Sequence, residues 1–382
     1  MKVLLLAGEE SGMIYRDMIA ARMTADNPDA EIRGYADYGF KIADLAVMGL
    51  VQVLSRIFYF MRVRRTMMRA IDEWRPDVVC TIDYPGMNLR LAAYAKAKGI
   101  RAVHVVCPHV WAWKRGRIPK IEASLDALCC FFPFEPELFR PGFAIFVGHP
   151  LAREEGRRKK EEVRSKKEEG TGKREEGRLL AVLPGSRAGE VRHHMPELLK
   201  AVGKLRRDIP GLRAVIPAAN EKVERLIREM SGGAVEVQSG GAKALLRNAD
   251  AAVVASGTAT LESALAGCPT VLVYKVDLLF EIICRIALKG VKHIGLVNIL
   301  CEKTSGAPPC PMPELIQQDF TAENVVSYLR PWLTDAAANA KARSELSAAA
   351  ALLDSGSDPI AKIVAISFRT PTCFTAGSGV KT

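Results

Sequence analysis

The segment from Leu183 to Arg187 combines a glycine, a hydroxyl and an arginine where an apolar run gives way to a helical pattern. Gly185 permits close backbone approach, Ser186 adds a hydroxyl, and Arg187 offers a planar fork of donors that suits phosphate oxygens. A diphosphate fits such a place, because a helix N-terminus presents free N–H groups and the positive end of its dipole. The alternative interpretation is a surface arginine that caps a neighbouring helix.

A second segment of this kind follows the apolar run at 251–255. Ser256, Gly257 and Thr258 open a helical pattern, so free N–H groups and hydroxyls are available for a second phosphate. Glu262 lies one turn later, where a carboxylate can accept hydrogen bonds from ribose hydroxyls. Ordinary capping explains the same residues. Two such segments nevertheless favour a nucleotide diphosphate, since ligands collect at the carboxyl ends of parallel strands.

Asp83 ends the apolar run at 78–82 and precedes Pro85. A carboxylate there suits a general base, because the transfer of a group to a hydroxyl requires removal of the hydroxyl proton as the new bond forms. A helix cap is the competing interpretation. Near the start of the chain, Gly8 and Ser11 lie in another strand-to-helix loop that suits an anion or a sugar hydroxyl. A tight turn explains that loop equally well.

Histidines and cysteines predict no metal site. His109 and His149 lack partners at metal-ligand spacing. The nine cysteines are scattered and are typical of reduced core residues. Trp111 and Trp113, which follow another apolar run, are more typical of packing anchors than of a surface that stacks on sugars.

The stretch at 50–74 mixes apolar and basic side chains, as does an element that rests on anionic lipid. The residues that we assign to this membrane surface are Phe58, Phe60, Arg62, Arg64 and Arg65. A helix with one buried face and solvated arginines is the alternative. No run approaches the roughly 20 apolar residues of a spanning helix, and the first apolar run is too short for a signal peptide. A cytosolic or peripheral protein is therefore expected.

These segments lie between short apolar runs that alternate with helical patterns, as in parallel sheets covered by helices. The first series of predicted strands covers 2–7, 77–82, 101–106, 127–132 and 144–147, and the second covers 179–183, 212–217, 234–237, 251–255 and 270–274. The predicted fold class is therefore α/β, with two doubly wound Rossmann-like domains. We expect these domains to face each other across a cleft.

Length and composition set the predicted boundaries, because 382 residues exceed the usual single-domain range. We assign 1–150 to the first domain, 179–333 to the second, and 334–382 to a helical segment with a frayed tail. The charged run at 151–178 cannot bury a core and is interpreted as a solvated linker. The net charge of +11 favours anionic partners, but the mixed signs of the linker favour a connector over a nucleic-acid contact.

Taken in chain order, the segments resemble the lipid-A-disaccharide synthase family. The matching segments are AGEESG at 7–12, LAVMGLVQVL at 45–54, TIDYPGMN at 81–88, VCPHVWAWKRGR at 106–117, FFPFE at 131–135, GHP at 148–150, LPGSRAGEV at 183–191, ASGTATLE at 255–262, NIL at 298–300 and PELIQ at 313–317. No single motif decides the matter, but the ordered set is highly specific. It spans about residues 2 to 333.

The resemblance implies a glycosyltransferase B fold that holds the acceptor mainly in the first domain and the UDP-sugar in the second, with no metal and no cofactor. It implies transfer of 2,3-diacylglucosamine from UDP-2,3-diacylglucosamine to the 6-hydroxyl of 2,3-diacylglucosamine 1-phosphate in lipid A biosynthesis, with inversion and release of UDP. The implied location is cytoplasmic, peripheral on the anionic inner-membrane surface. Nucleic acid is not an expected partner, and a homodimer stays open.

By residue, the resemblance assigns catalysis to Asp83, Glu9 and Ser11. For donor binding it adds Asn298 and Gln317. The complete predicted UDP site is Gly185, Ser186, Arg187, Ser256, Gly257, Thr258, Glu262, Asn298 and Gln317.

The chain departs from the family pattern at Met13, Gly86 and Val297, where the family usually has aspartate, an acidic residue and proline. The stretch at 17–44 is also shorter than in the family. Two alternatives stay open. One is another UDP-sugar glycosyltransferase or a UDP-N-acetylglucosamine 2-epimerase on the same fold. The other, which Met13 and Gly86 suggest, is a UDP-binding, membrane-associated protein that has lost catalysis.

Overall fold

The computed structural model describes residues 1–45, 56–112, 115–158, 177–276 and 292–368. The chain divides into two compact units, one formed by Met1–Pro150 together with the segment from Ser355 onward, and the other by Leu151–Asp354. Each unit contains one six-stranded sheet whose neighbouring strands are all parallel. The predicted α/β class with two Rossmann-like domains is confirmed.

The sheet of the first unit has the strand order β2-β1-β3-β4-β5-β6. Its strands are β1 (Lys2–Ala7), β2 (Glu31–Arg33), β3 (Val78–Ile82), β4 (Arg101–Val105), β5 (Ala127–Cys130) and β6 (Ala144–Phe146). Its helices before the second unit are α1 (Glu10–Asp26), α2 (Ile42–Leu45), α3 (Ile57–Trp74), α4 (Pro85–Ala97) and α5 (Ile118–Ser124). Because β2 and β3 flank β1, the strand order reverses between β1 and β3, which is where α/β proteins bind ligands.

The sheet of the second unit has the order β12-β11-β10-β7-β8-β9, that of a dinucleotide-binding fold. Its strands are β7 (Leu179–Leu183), β8 (Arg213–Ala218), β9 (Glu236–Ser239), β10 (Ala251–Ala255), β11 (Thr270–Tyr274) and β12 (Glu314–Ile316). Its helices are α6 (Ala188–Asp208), α7 (Glu221–Ser231), α8 (Ala242–Asn248), α9 (Thr258–Ala266), α10 (Leu296–Lys303), α11 (Ala322–Thr334) and α12 (Ala336–Ala351). Here the strand order reverses between β7 and β10.

The central strands are apolar on both faces because helices cover both sides of each sheet. All five residues of β3 and all five of β10 are buried. At each reversal of strand order, one of the two strands, β3 or β10, is therefore fully buried. The loop that follows that strand is fixed at the end where it leaves the strand.

Two predicted boundaries differ from the structure. Residues 150–158, the start of the predicted linker, are helical. Glu155 is buried there because it forms ion pairs with Arg158 at 2.5 Å and with Arg247 at 2.7 Å. Residues 159–176 lie outside the described part of the chain. The predicted segment at 334–382 is divided, since α12 belongs to the second unit and the last helix, α13 (Pro359–Phe368), belongs to the first.

Candidate active site

Asp83 lies at the carboxyl end of β3, beside the reversal of strand order in the first sheet. Asp83 and Tyr84 both have positive φ, at 49° and 50°, a conformation that costs an L-residue roughly 1–2 kcal/mol. Asp83 Oδ1 accepts the Tyr84 N–H at 2.8 Å, and the carboxylate is half-buried. The N-cap of α4 is Tyr84, so the helix-cap interpretation of Asp83 is wrong.

Asn88 holds this strained corner in place. Its side chain is fully buried, and its Nδ2 donates to the carbonyl oxygens of Ile82 at 3.0 Å, Asp83 at 2.8 Å and Leu6 at 3.3 Å. The Tyr35 hydroxyl donates to Asn88 Oδ1 at 2.7 Å. One amide therefore joins the ends of β1 and β3, and the sequence-based list of site residues did not contain it.

The loop after β1 packs against the same corner. A Cβ atom on Gly8 would lie 2.3 Å from Tyr84 Cδ1, so only glycine fits beside the ring. Glu9 is the N-cap residue of α1, and Ser11 is exposed in the first turn of that helix. Burial, with a smaller contribution from Glu9, raises the pKa of Tyr84 to about 12. The structure thus brings the first-loop candidates and Asp83 to one edge of the sheet.

His109 follows β4 at this edge and is electrostatically coupled to Asp83. Its ring is exposed and lies 5.2 Å from the ring of Trp111, whereas Trp113 lies outside the described residues. The surrounding protein partly desolvates the imidazole and lowers the pKa of His109, while the nearby Asp83 charge acts in the opposite direction. The imidazole is therefore a second group that can exchange a proton beside Asp83.

In the described part of the chain, one buried cluster brings potential metal ligands together. The sulfur atoms of Cys107 and Cys130 and a carboxylate oxygen of Glu135 all lie within 4.8 Å of one another. Burial raises the pKa of Glu135 to about 8, and its Oε2 accepts the Phe132 N–H at 3.1 Å. A neutral carboxyl group bonded to its own loop accounts for this burial.

In the second unit, the predicted phosphate loop after β7 already has an anionic partner. The Glu190 carboxylate accepts the N–H groups of Ser186 at 3.1 Å and Arg187 at 3.3 Å, and it bonds to Arg187 Nη1 at 2.8 Å. Gly185 has a φ of 121°, and a Cβ there would lie 2.5 Å from Glu190 Oε2. A phosphate that uses these donors must therefore compete with Glu190.

The N-terminus of α9, after β10, has no side-chain cap. Its N-cap residue Gly257 lies in an exposed turn with a φ of 150°. Thr258 is exposed and Ser256 is half-buried. An uncapped, exposed helix N-terminus at the reversal point of a Rossmann sheet suits an anion. The two predicted phosphate segments are thus unequal, and only this one is open.

Gln317 has a side-chain donor that is available to a ligand, whereas the side chain of Asn298 is already hydrogen-bonded within the protein. Gln317 follows β12 with a φ of 54°, and its Oε1 accepts the Val276 N–H at 3.2 Å. Its Nε2 is buried and has no hydrogen-bond partner among the described residues, so it is an available donor. Asn298 is buried, and its side chain bonds to the Met312 backbone and to Glu314. We therefore expect Asn298 to position the β12 segment rather than to touch a ligand.

Glu262 points toward α8, with its Oε1 3.9 Å from Lys243 Nζ. Its side chain is half-buried, and desolvation raises its pKa. It lines a small pocket with Lys243, Arg247 and Glu155. Its predicted contact with a ribose stays a prediction.

A buried histidine that the sequence analysis did not select joins two loops of this edge. His194 Nδ1 donates to the Pro184 carbonyl at 2.7 Å, and its Nε2 accepts the Lys275 N–H at 3.0 Å. These partners require a neutral imidazole, and burial accordingly lowers the pKa of His194. A single histidine in a helix is usually a core residue, so the sequence offers no signal for this role.

The structure exposes only some of the residues that were predicted to form the membrane surface. Phe60 packs against the core of the first unit and Arg64 is half-buried, because both face inward on α3. The exposed face has Phe58, 81% exposed, followed by Arg62, Arg65 and Arg69 at helical spacing. Residues 50–55 of the predicted stretch lie outside the described residues. No described helix has the length and apolar character that a membrane crossing requires.

Comparison with known proteins decides the family. The family model for lipid-A-disaccharide synthetase matches residues 3–357. The chain belongs to the lipid-A-disaccharide synthetase family. The lipid-A-disaccharide synthase of Chromohalobacter salexigens is 35% identical over 355 residues, 88% of this chain and 88% of that protein. The synthase of Myxococcus xanthus is 33% identical over 343 residues, 86% of this chain and 87% of that protein.

As a member of the lipid-A-disaccharide synthetase family, the chain is a hexosyltransferase of bacterial lipid A biosynthesis that uses a UDP-sugar donor and a glycosyl acceptor. The alternative of an epimerase is not favoured by these relatives.

Solved structures give the fold. A Staphylococcus aureus MnaA–UDP co-structure has a TM-score of 0.61 at 12% identity and covers 95% of this chain and 94% of that one. The calicheamicin glycosyltransferase CalG4 has a TM-score of 0.54 at 14% identity and covers 96% of this chain and 97% of that one. At these identities the likeness concerns the fold alone.

Proposed function

We propose that the chain transfers 2,3-diacylglucosamine from UDP-2,3-diacylglucosamine to the 6-hydroxyl of 2,3-diacylglucosamine 1-phosphate, with Asp83 as the general base. The observation that carries this proposal is the strained corner at Asp83 beside the reversal of strand order. Strained non-glycine residues cluster at functional sites and persist where the surroundings hold them. Asn88 provides that hold through its bonds to Ile82 and Asp83.

In this reaction the acceptor oxygen attacks the anomeric carbon of the donor, and the bond between that carbon and UDP breaks as the new bond forms. The hydroxyl proton passes to Asp83, and UDP leaves as an anion. Attack from the face opposite UDP inverts the anomeric centre. Because Asp83 Oδ1 accepts the Tyr84 N–H, we assign the proton to Oδ2.

The leaving diphosphate is assigned to the N-terminus of α9, where Ser256 and Thr258 offer hydroxyls. The absence of a side-chain cap at Gly257 supports this assignment, as does the unpaired Nε2 of Gln317 in the described structure. Fixed N–H groups and the helix dipole stabilise charge that develops as UDP departs. Arg187 adds a guanidinium once its bond to Glu190 opens.

The test uses the purified full chain with both acylated substrates and mass spectrometry for the disaccharide and UDP. Asp83→Asn should lower the turnover rate by about 10²- to 10⁴-fold, as expected for loss of a general base, with UDP affinity unchanged. Asp77→Asn is the matched control, because Asp77 precedes the same strand at its other end and accepts the Lys2 N–H. Full activity of Asp83→Asn would overturn the assignment, and turnover of UDP-N-acetylglucosamine without an acceptor would indicate an epimerase.

We further propose that the exposed face of α3 rests on the anionic inner-membrane surface, which makes the protein cytoplasmic and peripheral. Phe58, Met61, Arg62, Arg65 and Arg69 line a groove of about 400 Å³ there. Among the described residues, the ion pairs near this face join Arg56 to Asp44 and Lys98 to Asp72, and these three arginines take no part in them. Exposed arginines beside an exposed aromatic ring suit a phosphate-rich lipid surface.

Sedimentation with vesicles of anionic and of neutral lipid tests this surface. Each arginine near such a surface contributes about 1 kcal/mol, so replacing Arg62, Arg65 and Arg69 by Glu should weaken anionic-vesicle binding by roughly 100-fold or more. A control variant reverses three exposed charges of the second unit, Arg207, Lys222 and Arg225. Equal sedimentation of the two variants would contradict the proposed surface.

A further inference from the structure

A cysteine, a histidine and a glutamate form a row in the second unit, at the amino end of β12. Cys310 Sγ lies 3.5 Å from His293 Nε2, and His293 Nδ1 lies 3.4 Å from Glu314 Oε1. Gln317, the donor-site candidate, follows the opposite end of the same strand. The row does not include Gln317, but it contacts Asn298, because the Cys310 thiol also lies 3.5 Å from the Asn298 carbonyl oxygen and Asn298 Nδ2 donates to Glu314.

The glutamate of this row is held firmly. Glu314 accepts the N–H groups of Ile294 at 2.9 Å and Gly295 at 3.2 Å, and Asn298 Nδ2 donates to it at 2.8 Å. These three donors hold the carboxylate in one orientation. It favours the imidazole tautomer that has its proton on Nδ1, which leaves the Nε2 lone pair of His293 facing Cys310.

The thiol is accessible, unlike those of the other cysteines in the described ranges. Cys310 is exposed, whereas Cys301 on the neighbouring helix α10 is buried. Cys310 lines a cavity of about 630 Å³, together with Lys292, His293 and Lys341. Two lysines and two carboxylates, those of Glu314 and Glu345, share the wall of this cavity, so its charges are balanced and admit a small disulfide of either sign.

We propose that Cys310, His293 and Glu314 form a second reactive site, in which Cys310 exchanges with a small disulfide. The Cys310 proton passes to His293 Nε2, and the thiolate attacks one sulfur of the disulfide. The disulfide bond breaks as the bond between Cys310 and that sulfur forms. The released thiolate takes up the proton from His293, so atoms and electrons balance. Nucleophile, base and orienting carboxylate match the arrangement that activates a thiol or hydroxyl.

The charges around Cys310 explain why a base is needed. Partial burial, followed by the charges of Glu302 and Glu314, raises the pKa of the Cys310 thiol. Lys292 and Lys341 offset these charges in part, and Glu345 adds another negative charge at the cavity wall. At neutral pH the thiol is therefore protonated, and exchange depends on proton transfer to His293.

The experiment incubates the full chain with oxidised glutathione and follows the mixed disulfide of the Cys310 peptide by mass spectrometry. His293→Ala should slow the modification at neutral pH by about 100-fold, the lower end of the range for loss of a general base. The difference should vanish at high pH, where the thiolate forms without a base. His193→Ala is the matched control, and the buried Cys301 serves as the internal unreactive thiol.

Equal neutral-pH rates for the native chain and His293→Ala would overturn the site. Cystamine, a cationic disulfide, tests whether the dependence on His293 belongs to the site rather than to one reagent. His293→Ala should also slow the reaction with cystamine at neutral pH, and equal rates for the native chain and the variant with this reagent would contradict the role of the base. Because none of these rates requires glycosyl transfer, failure here is distinct from failure of the proposed function.

Discussion

Replacement of Asn88 by Ala tests whether the corner at Asp83 is held by one buried amide. The change removes the donor to the Ile82 and Asp83 carbonyls and leaves the buried Tyr35 hydroxyl without its acceptor. An unsatisfied buried polar group costs about 1–3 kcal/mol, so the Tyr35 hydroxyl together with one unpaired carbonyl predicts a loss of roughly 2–6 kcal/mol in the free energy of unfolding. The positive φ of Asp83 and Tyr84 then loses its support.

Urea unfolding and the disaccharide assay measure the two consequences separately. Tyr35→Phe is the matched control, because it removes only the bond to Asn88 Oδ1 and should cost about 1–3 kcal/mol. We expect Asn88→Ala to lower kcat well beyond its effect on UDP affinity, since UDP is assigned to the other unit. If Asn88→Ala were as stable and as active as Tyr35→Phe, the amide would not be what holds the base.

Three further predictions concern other contacts. Glu190→Gln should tighten UDP binding by about 2- to 5-fold in calorimetry, because an exposed ion pair with Arg187 is worth about 0.2–1 kcal/mol; weaker binding would mean that the carboxylate only orders the loop. Gly8→Ala should destabilise by about 1–3 kcal/mol, since its Cβ meets the Tyr84 ring; if the double change with Tyr84→Ala lost as much as the sum of the single changes, this contact would be ruled out. In the folded chain Glu135 keeps its proton up to about pH 8, whereas in the unfolded chain it loses the proton above its ordinary pKa near 4.5. Because the unfolded chain binds fewer protons between these pH values, the free energy of unfolding should fall as pH rises from about 4.5 to about 8. Glu135→Gln should flatten that slope in urea titrations, and an unchanged slope would assign it to other groups.

The sheet cores were predictable because their signal is local. Continuous apolar runs predicted Lys2–Ala7, Leu179–Leu183, Ala251–Ala255 and Thr270–Tyr274 with the bounds that the structure has. The strand Glu31–Arg33 was missed, because three residues with two charged side chains give no apolar run. Edge strands of this length owe their pairing to the neighbouring strand rather than to their own composition.

The site was predictable only to the level of loops. Parallel strands of one sheet end at the same edge, so Asp83 and the phosphate segments could each be assigned to the carboxyl edge of their own sheet from the sequence. The role of Asn88 depends on Tyr35, which is 53 residues away in the chain. The occupation of the Arg187 loop by Glu190 depends on a side-chain rotamer. Such pairings leave no periodic pattern in a single sequence.

The composition of α3 correctly indicated a surface with aromatic and basic residues, but it did not indicate which of these residues face the solvent. Phe60 and Arg64 turn toward the core, whereas Arg69, which was not selected, lies on the exposed face with Arg62 and Arg65. Phase is set by which residues the sheet buries, here Val63 and Met67. Because aromatic residues and arginines occur on both faces of this helix, the sequence is compatible with burial of either face.

The return of the last helix to the first unit has a consequence for biosynthesis. α13 packs against α1 and against β3, β4 and β5, and Arg101 donates to the carbonyl oxygens of Ile366 and Ser367 within it. On a ribosome, the sheet of the first unit must wait until residues 359–368 have been made before α13 can cover its part of one face, whereas the second unit is encoded before them and can fold earlier. A truncated product that ends before Pro359 would thus expose an apolar sheet face, and we expect it to aggregate or to be degraded rather than to persist as a smaller enzyme.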